Sequence, residues 1–148
     1  MELMDTSETY IKMCDCEEMQ KAWKPSEWDW IYVIPEEDWE VKYIWNILPF
    51  EIADHGVYGP YIEENGCLCD RGDKYIWLPR QDQIQEMLEF SAMRYGMFKV
   101  FCDWLDKNRL YIGLKELITP EQLWLAFYMH EKHSMIWDGE KWVLANGG

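Results

Sequence analysis

Trp28-Asp29-Trp30-Ile31-Tyr32-Val33-Ile34 carries its large rings on alternate positions. A period of two marks a strand, because successive side chains leave a pleated backbone on opposite faces. Pro35-Glu36-Glu37-Asp38 supplies a turn. Beyond it Val41, Tyr43, Trp45 and Ile47 alternate again, with Glu40, Lys42 and Asn46 opposite. The two runs are expected to pair antiparallel. Residues 49–60 read as loop, with Gly56 and Gly59 in it. Asn65-Gly66 is a strong hairpin signal, since both central positions of such a turn need positive φ. It is expected to join 58–62 to 67–69. Asp70-Arg71-Gly72-Asp73 then turns the chain into a further strand over 75–78.

Helices are expected on either side of these strands. Residues 7–23 read as one, closed before Pro25, although their apolar positions make no clean stripe. After the strands, Pro79 suits a first helical position, and Ile84, Met87, Leu88 and Ser91 share a face. Met97, Phe98, Phe101, Trp104 and Leu105 form a cleaner stripe that Asn108 is expected to close. Thr119-Pro120-Glu121-Gln122 predicts a helix start, with Thr119 as cap and Gln122 completing a capping box. Leu123, Ala126, Phe127 and His130 line that helix. Asp138-Gly139 predicts a closing hairpin between 135–137 and 140–144. Grouped strands followed by grouped helices predict an α+β fold. The expected architecture is an antiparallel sheet of short strands, about 28–78 plus the C-terminal hairpin, packed on three to four helices. One domain is expected to span 1–148.

The chain has 148 residues, 49% of them apolar, with ten tryptophans. A chain of that length buries roughly 70% of its unfolded surface, which leaves no need for a disulfide or metal to hold the fold. Five cysteines, an odd number, and an acidic start without an apolar run predict reduced thiols in a cytoplasm. No stretch reaches the ~18 apolar residues of a membrane span.

The formal charge is −14, and its distribution says more than its size. Residues 1–74 hold 18 acids and 6 bases, whereas 75–148 hold 10 and 8. An acidic field of this kind repels nucleic acid and anionic membrane and favours basic protein partners. The acids concentrate in 27–40, where Glu27, Asp29, Glu36, Glu37, Asp38 and Glu40 interleave with Trp28, Trp30, Tyr32 and Trp39 and no base intervenes. An edge strand kept soluble by charge has this composition. So has a surface whose carboxylates imitate phosphates and dock on an Arg/Lys groove, where complementary charge speeds association.

Other patterns point less far. Cys14 and Cys16, with Cys67 and Cys69, offer four thiolates for zinc, but zinc ligands are usually separated by two to four residues. The first pair also falls on an expected helix, where a spacing of two turns the thiols apart, while the second shares a strand face. His130 and His133 lie one residue short of the spacing in a zinc-protease motif and suit a helix end. Arg71, Arg80 and Gln81 could hold the phosphates of a nucleotide while an aromatic ring stacks on its base. A metal-assisted hydrolase is a third class, and no carboxylate pair is singled out for acid–base work.

Trp77-Leu78-Pro79-Arg80-Gln81-Asp82-Gln83-Ile84-Gln85-Glu86-Met87 resembles small proteins encoded by phages and prophages of low-GC Gram-positive bacteria. So do Glu121-Gln122-Leu123-Trp124-Leu125-Ala126-Phe127-Tyr128-Met129-His130-Glu131-Lys132-His133 and Ile136-Trp137-Asp138-Gly139-Glu140-Lys141-Trp142. The resemblance covers about a third of the chain. It implies a cytoplasmic accessory protein of a mobile element in a bacterial host, and assigns no activity. In that setting the expectation is a non-enzymatic inhibitor of a host nucleic-acid-binding defence system, anti-CRISPR-like, with no cofactor and no catalytic residue. Its partner-binding residues are expected to be Glu27, Asp29, Glu36, Glu37, Asp38, Trp39 and Glu40.

Overall fold

The computed structural model describes residues 4–37, 39–53, 59–69, 73–88, 94–114 and 119–145. They build two compact units, Thr6–Pro79 and Met1–Asp5 with Arg80–Gly148. Both combine helices with antiparallel strands, so the fold is α+β.

In Thr6–Pro79 the first helix, α1 (Glu8–Cys14), is started by Ser7, whose Oγ accepts from the Tyr10 amide at 3.2 Å. The helix expected over 7–23 is broken after Cys14. Cys16 is extended, with φ −141° and ψ 155°, and begins α2 (Glu17–Ala22). The break accounts for the missing stripe: no single helical face runs through both halves.

β1 (Trp30–Ile34) is the central strand of a three-stranded antiparallel sheet. β2 (Tyr43–Asn46) pairs with one edge, Ile31 opposite Trp45, and β3 (Lys74–Leu78) with the other, Ile31 opposite Trp77. Both helices pack on β3. Tyr10, fully buried, donates its hydroxyl to the Pro79 carbonyl at 2.6 Å. The Gln20 amide brackets Trp77, accepting from its N–H at 2.9 Å and donating to its carbonyl at 3.2 Å.

Ile31 and Val33 of the opening run face a core. They are fully buried, with Ile47 fully buried and Ile62 buried beside them, under Trp23, Tyr43, Trp45, Leu68 and Tyr75. Each such aliphatic side chain contributes about 1.5–3 kcal/mol by leaving water. Trp30 and Tyr32 lie on the opposite face of β1, half-buried.

Trp28 leaves the strand altogether. Its φ of +68° is left-handed, a costly conformation for a tryptophan, and is held by a 2.6 Å bond from its amide to the Ile47 carbonyl. A short helix, α3 (Phe50–Ala53), occupies part of the expected loop. The Asn65-Gly66 hairpin is present as one antiparallel bridge, Ile62 to Leu68, with Gly66 at φ +85°. Position 58 lies outside the described residues.

In the other unit, α4 (Gln81–Met87) starts two residues beyond Pro79. Arg80 caps it, and the Gln83 side chain reaches back to accept from the Arg80 amide at 2.9 Å. α5 (Arg94–Leu114) runs past Asn108, whose Nδ2 donates back to the Trp104 carbonyl at 2.8 Å inside the helix. α6 (Pro120–His133) has the expected cap, with Thr119 Oγ1 accepting from the Gln122 amide at 3.2 Å. The Gln122 amide group also donates to the buried Asp5 carboxylate at 2.8 Å.

α6 packs on α4 and α5. Phe101 stacks on Trp124 at 3.8 Å between ring centroids and meets Phe127 edge-on at 5.3 Å. Ser134, left-handed at φ 54°, ends the helix. β4 (Met135–Trp137) and β5 (Trp142–Leu144) then close a separate two-stranded sheet around Gly139 at φ +107°. Among the described residues no helix is long and apolar enough to cross a membrane.

Candidate acidic interface

Pro35 ends β1, and the chain turns back toward β2 through residues 36–42. Two contacts shape this turn. The Glu40 amide donates to the Glu37 carbonyl at 3.0 Å, and the Glu36 amide donates to Asp73 Oδ1 at 3.0 Å. Asp73 arrives from β3, because the register sets Ile34 opposite Lys74 and so brings the residue before Lys74 beside the residues after Ile34.

The opposite wall comes from Gly59 and Pro60. A Cβ at Gly59 would lie 2.4 Å from the Trp45 ring, so only glycine lets this loop press on the indole. The Trp45 Nε1–H donates to the Pro60 carbonyl at 3.1 Å and fixes the contact. Glu36, Glu37, Glu40, Tyr43, Gly59, Pro60 and Asp73 thereby line a concavity of about 370 Å³.

Among the described residues that lining holds four carboxylates and no base. Among the described residues none of the four enters an ion pair. Lys42 is the one base between residues 27 and 50. On the same turn Trp39 is 79% exposed and Val41 82%. Uncompensated negative charge beside exposed apolar surface suits a partner that brings cations and an apolar slot.

The residues expected at the interface divide. Glu36, Glu37, Trp39 and Glu40 share this turn, and Asp38 lies outside the described residues. Glu27 is exposed but sits at the other end of β1, a strand about 17 Å long, beside the half-exposed Trp28. Asp29 points inward. It is 1% exposed and its Oδ2 accepts from Trp23 Nε1 at 3.0 Å and from the Ser26 amide at 2.9 Å. A carboxylate spent on internal donors is unavailable to a partner. Sequence reasoning missed Val41 and Asp73. The strand register places Asp73, since the pairing of Ile34 with Lys74 sets the residue before β3 beside the turn after β1.

Of the residues of the nucleotide alternative, Arg80 and Gln81 are described. Arg71 lies outside the described residues. Arg80 Nε holds Asp82 Oδ1 at 3.1 Å, so its guanidinium already has an anion, and Gln81 is half-buried on the first turn of α4. None of the five cysteines is in a disulfide. Cys14 is buried, and burial pushes the Cys16 thiol up to about 11. His130 Nδ1 lies 3.5 Å from Glu131 at the end of α6. Among the described residues no group of three or more His, Cys, Asp or Glu side chains is placed to hold a metal. No protein-family model, curated protein or solved structure matches the chain.

Proposed function

We propose that the chain is a non-enzymatic binding protein whose acidic turn docks on the basic nucleic-acid groove of a partner protein. In the phage setting implied by the sequence resemblance, the partner is a host defence nuclease, and the chain is an anti-CRISPR-like inhibitor acting in the bacterial cytoplasm. The observation that carries this reading is the convergence of Glu36, Glu37 and Glu40, from the turn after β1, and Asp73, from the residue before β3, on one concavity. Carboxylates spread around a hollow rather than gathered on one point match a row of Lys and Arg side chains better than a single ion. Trp39, exposed on the same turn, supplies the aromatic anchor that strong interfaces favour. Charge sets the rate of encounter and the buried ring sets the lifetime of the complex.

The test is displacement of fluorescent target DNA from a panel of RNA-guided nucleases, followed by anisotropy at low and physiological salt. The chain should displace DNA from at least one nuclease, more strongly at low salt. Glu36→Lys/Glu37→Lys/Glu40→Lys should lose the effect, and Glu17→Lys/Glu18→Lys, an equal-sign change on α2, should keep it. Displacement that survives the first set of reversals, or a panel untouched by the wild-type chain, defeats the proposal.

A further inference from the structure

Cys67 and Cys69 follow the Asn65-Gly66 turn and belong to no interface described above. Their backbone is pinned. The Glu63 amide donates to the Cys67 carbonyl at 2.7 Å, and the Cys69 amide donates to the Tyr61 carbonyl at 2.9 Å. These two bonds flank the bridge between Ile62 and Leu68, whose side chains turn to the core. Pleating then sends the residues on either side of Leu68 to the opposite face. Cys67 and Cys69 therefore stand side by side on the outer face of the hairpin, Cys67 exposed and Cys69 half-exposed.

Their separation decides what two thiols so placed can do. Positions two apart on a strand are about 6.6 Å from each other, and Cβ atoms on one face keep about that spacing. A disulfide wants its Cβ atoms about 3.8 Å apart, so closing one would require the strand to buckle. Two metal–sulfur bonds of about 2.3 Å in line span about 4.6 Å between sulfurs, which small leans of the side chains accommodate. Among the described residues no third His, Cys, Asp or Glu joins them to make a site for a metal that takes three or four ligands. Soft thiolates with only two ligands to offer select a soft cation content with two.

We propose that Cys67 and Cys69 form a two-coordinate dithiolate site for Cu(I). On binding, each thiol releases its proton to solvent and two Cu–S bonds form, with no change in oxidation state. The product carries one negative charge in place of a neutral thiol pair plus a cation. The remaining cysteines differ in kind. Cys14 and Cys16 are split across a helix break with Cys14 buried, and Cys102 is a single exposed thiol on α5.

The test is an anaerobic titration of the reduced full-length chain with Cu(I) against bathocuproine disulfonate, reading the absorbance of the copper chelate. The wild-type chain should withdraw one equivalent of copper. Cys67→Ser and Cys69→Ser should each lose that capacity with an unchanged circular dichroism spectrum. Cys16→Ser and Cys102→Ser should retain it. Equal uptake by wild type and Cys67→Ser, loss in Cys16→Ser, or one copper per two chains would each overturn the site.

Discussion

Replacing Glu36, Glu37 and Glu40 together by Gln should stabilise the protein, and the gain should shrink with salt. A hollow of 370 Å³ is about 9 Å across, and two unit charges at that distance in water repel by about 0.5 kcal/mol. The three glutamates sit on one turn and repel one another in the unfolded chain as well. What folding adds is their approach to Asp73, which lies far along the sequence. Three such repulsions come to about 1.5 kcal/mol at low ionic strength and about 0.5 kcal/mol at 0.15 M salt, where the Debye length is about 8 Å. The Asp73 bond to the Glu36 amide survives, because its donor is backbone. At about 2–4 °C per kcal/mol, Tm should rise by about 3–6 °C in dilute buffer and by about 1–2 °C at physiological salt. Thermal unfolding followed by circular dichroism at the two salt concentrations measures this. Glu17→Gln is the control: it removes an acid paired with Lys21 and should not raise Tm. A triple variant no more stable than wild type at low salt would refute the argument that these acids are gathered and uncompensated.

Three further outcomes follow from single sites. Asp29→Ala should cost about 2–4 kcal/mol in urea unfolding, because two donors at a buried carboxylate lose their acceptor, whereas Asp29→Asn, which keeps an acceptor oxygen, should cost less. A partner-binding loss for Asp29→Asn at unchanged stability would contradict its internal role. Gly59→Ala should destabilise by about 1–3 kcal/mol through overlap with the Trp45 ring, read by the same unfolding. In thiol labelling at pH 8, Cys67 and Cys102 should react ahead of Cys16, whose thiol burial holds at about 11 from an ordinary 9.0. The sign of the linkage is that the unfolded chain gives up this proton first. The Cys16 contribution is thus intact below pH 9 and is lost as pH rises through 11. Rapid labelling of Cys16 in the folded protein would count against that burial.

Alternation was the most informative signal in the sequence. It located β1 and β2, and turn chemistry located both hairpins, because glycine at positive φ is a local requirement that tertiary context rarely overrides. What it could not supply was which set of side chains packs on Ile47 and Ile62. Rings and aliphatics alternate equally well in Trp30-Ile31-Tyr32-Val33, and the core took the aliphatic set because Ile47 and Ile62 arrive from elsewhere to pack on it. The helix ends were poorly legible for a related reason. Asn108 is a reasonable cap in isolation, but its side chain bonds within α5, and the helix is prolonged beyond it. The break at Cys16 has no proline or glycine to announce it.

The candidate interface exposes the same gap in reverse. By composition Asp29 and Asp73 are equivalent, two aspartates in an acidic half. The fold gives them opposite roles: Asp29 satisfies an indole and an amide in the interior, while Asp73 joins the rim of the hollow. The difference is one of pairing. Asp29 immediately precedes β1, where Ser26 and Trp23 curl back onto it, and Asp73 immediately precedes β3, where among the described residues the donor that reaches it is an amide of the opposite turn. An acidic count therefore measures how much charge the surface could carry, and strand register decides which of those charges meet. Three of the four that meet here share the turn after β1 and the fourth, Asp73, reaches them through the β1–β3 ladder, so a shift of that ladder by one residue would part Asp73 from the others without changing the composition at all.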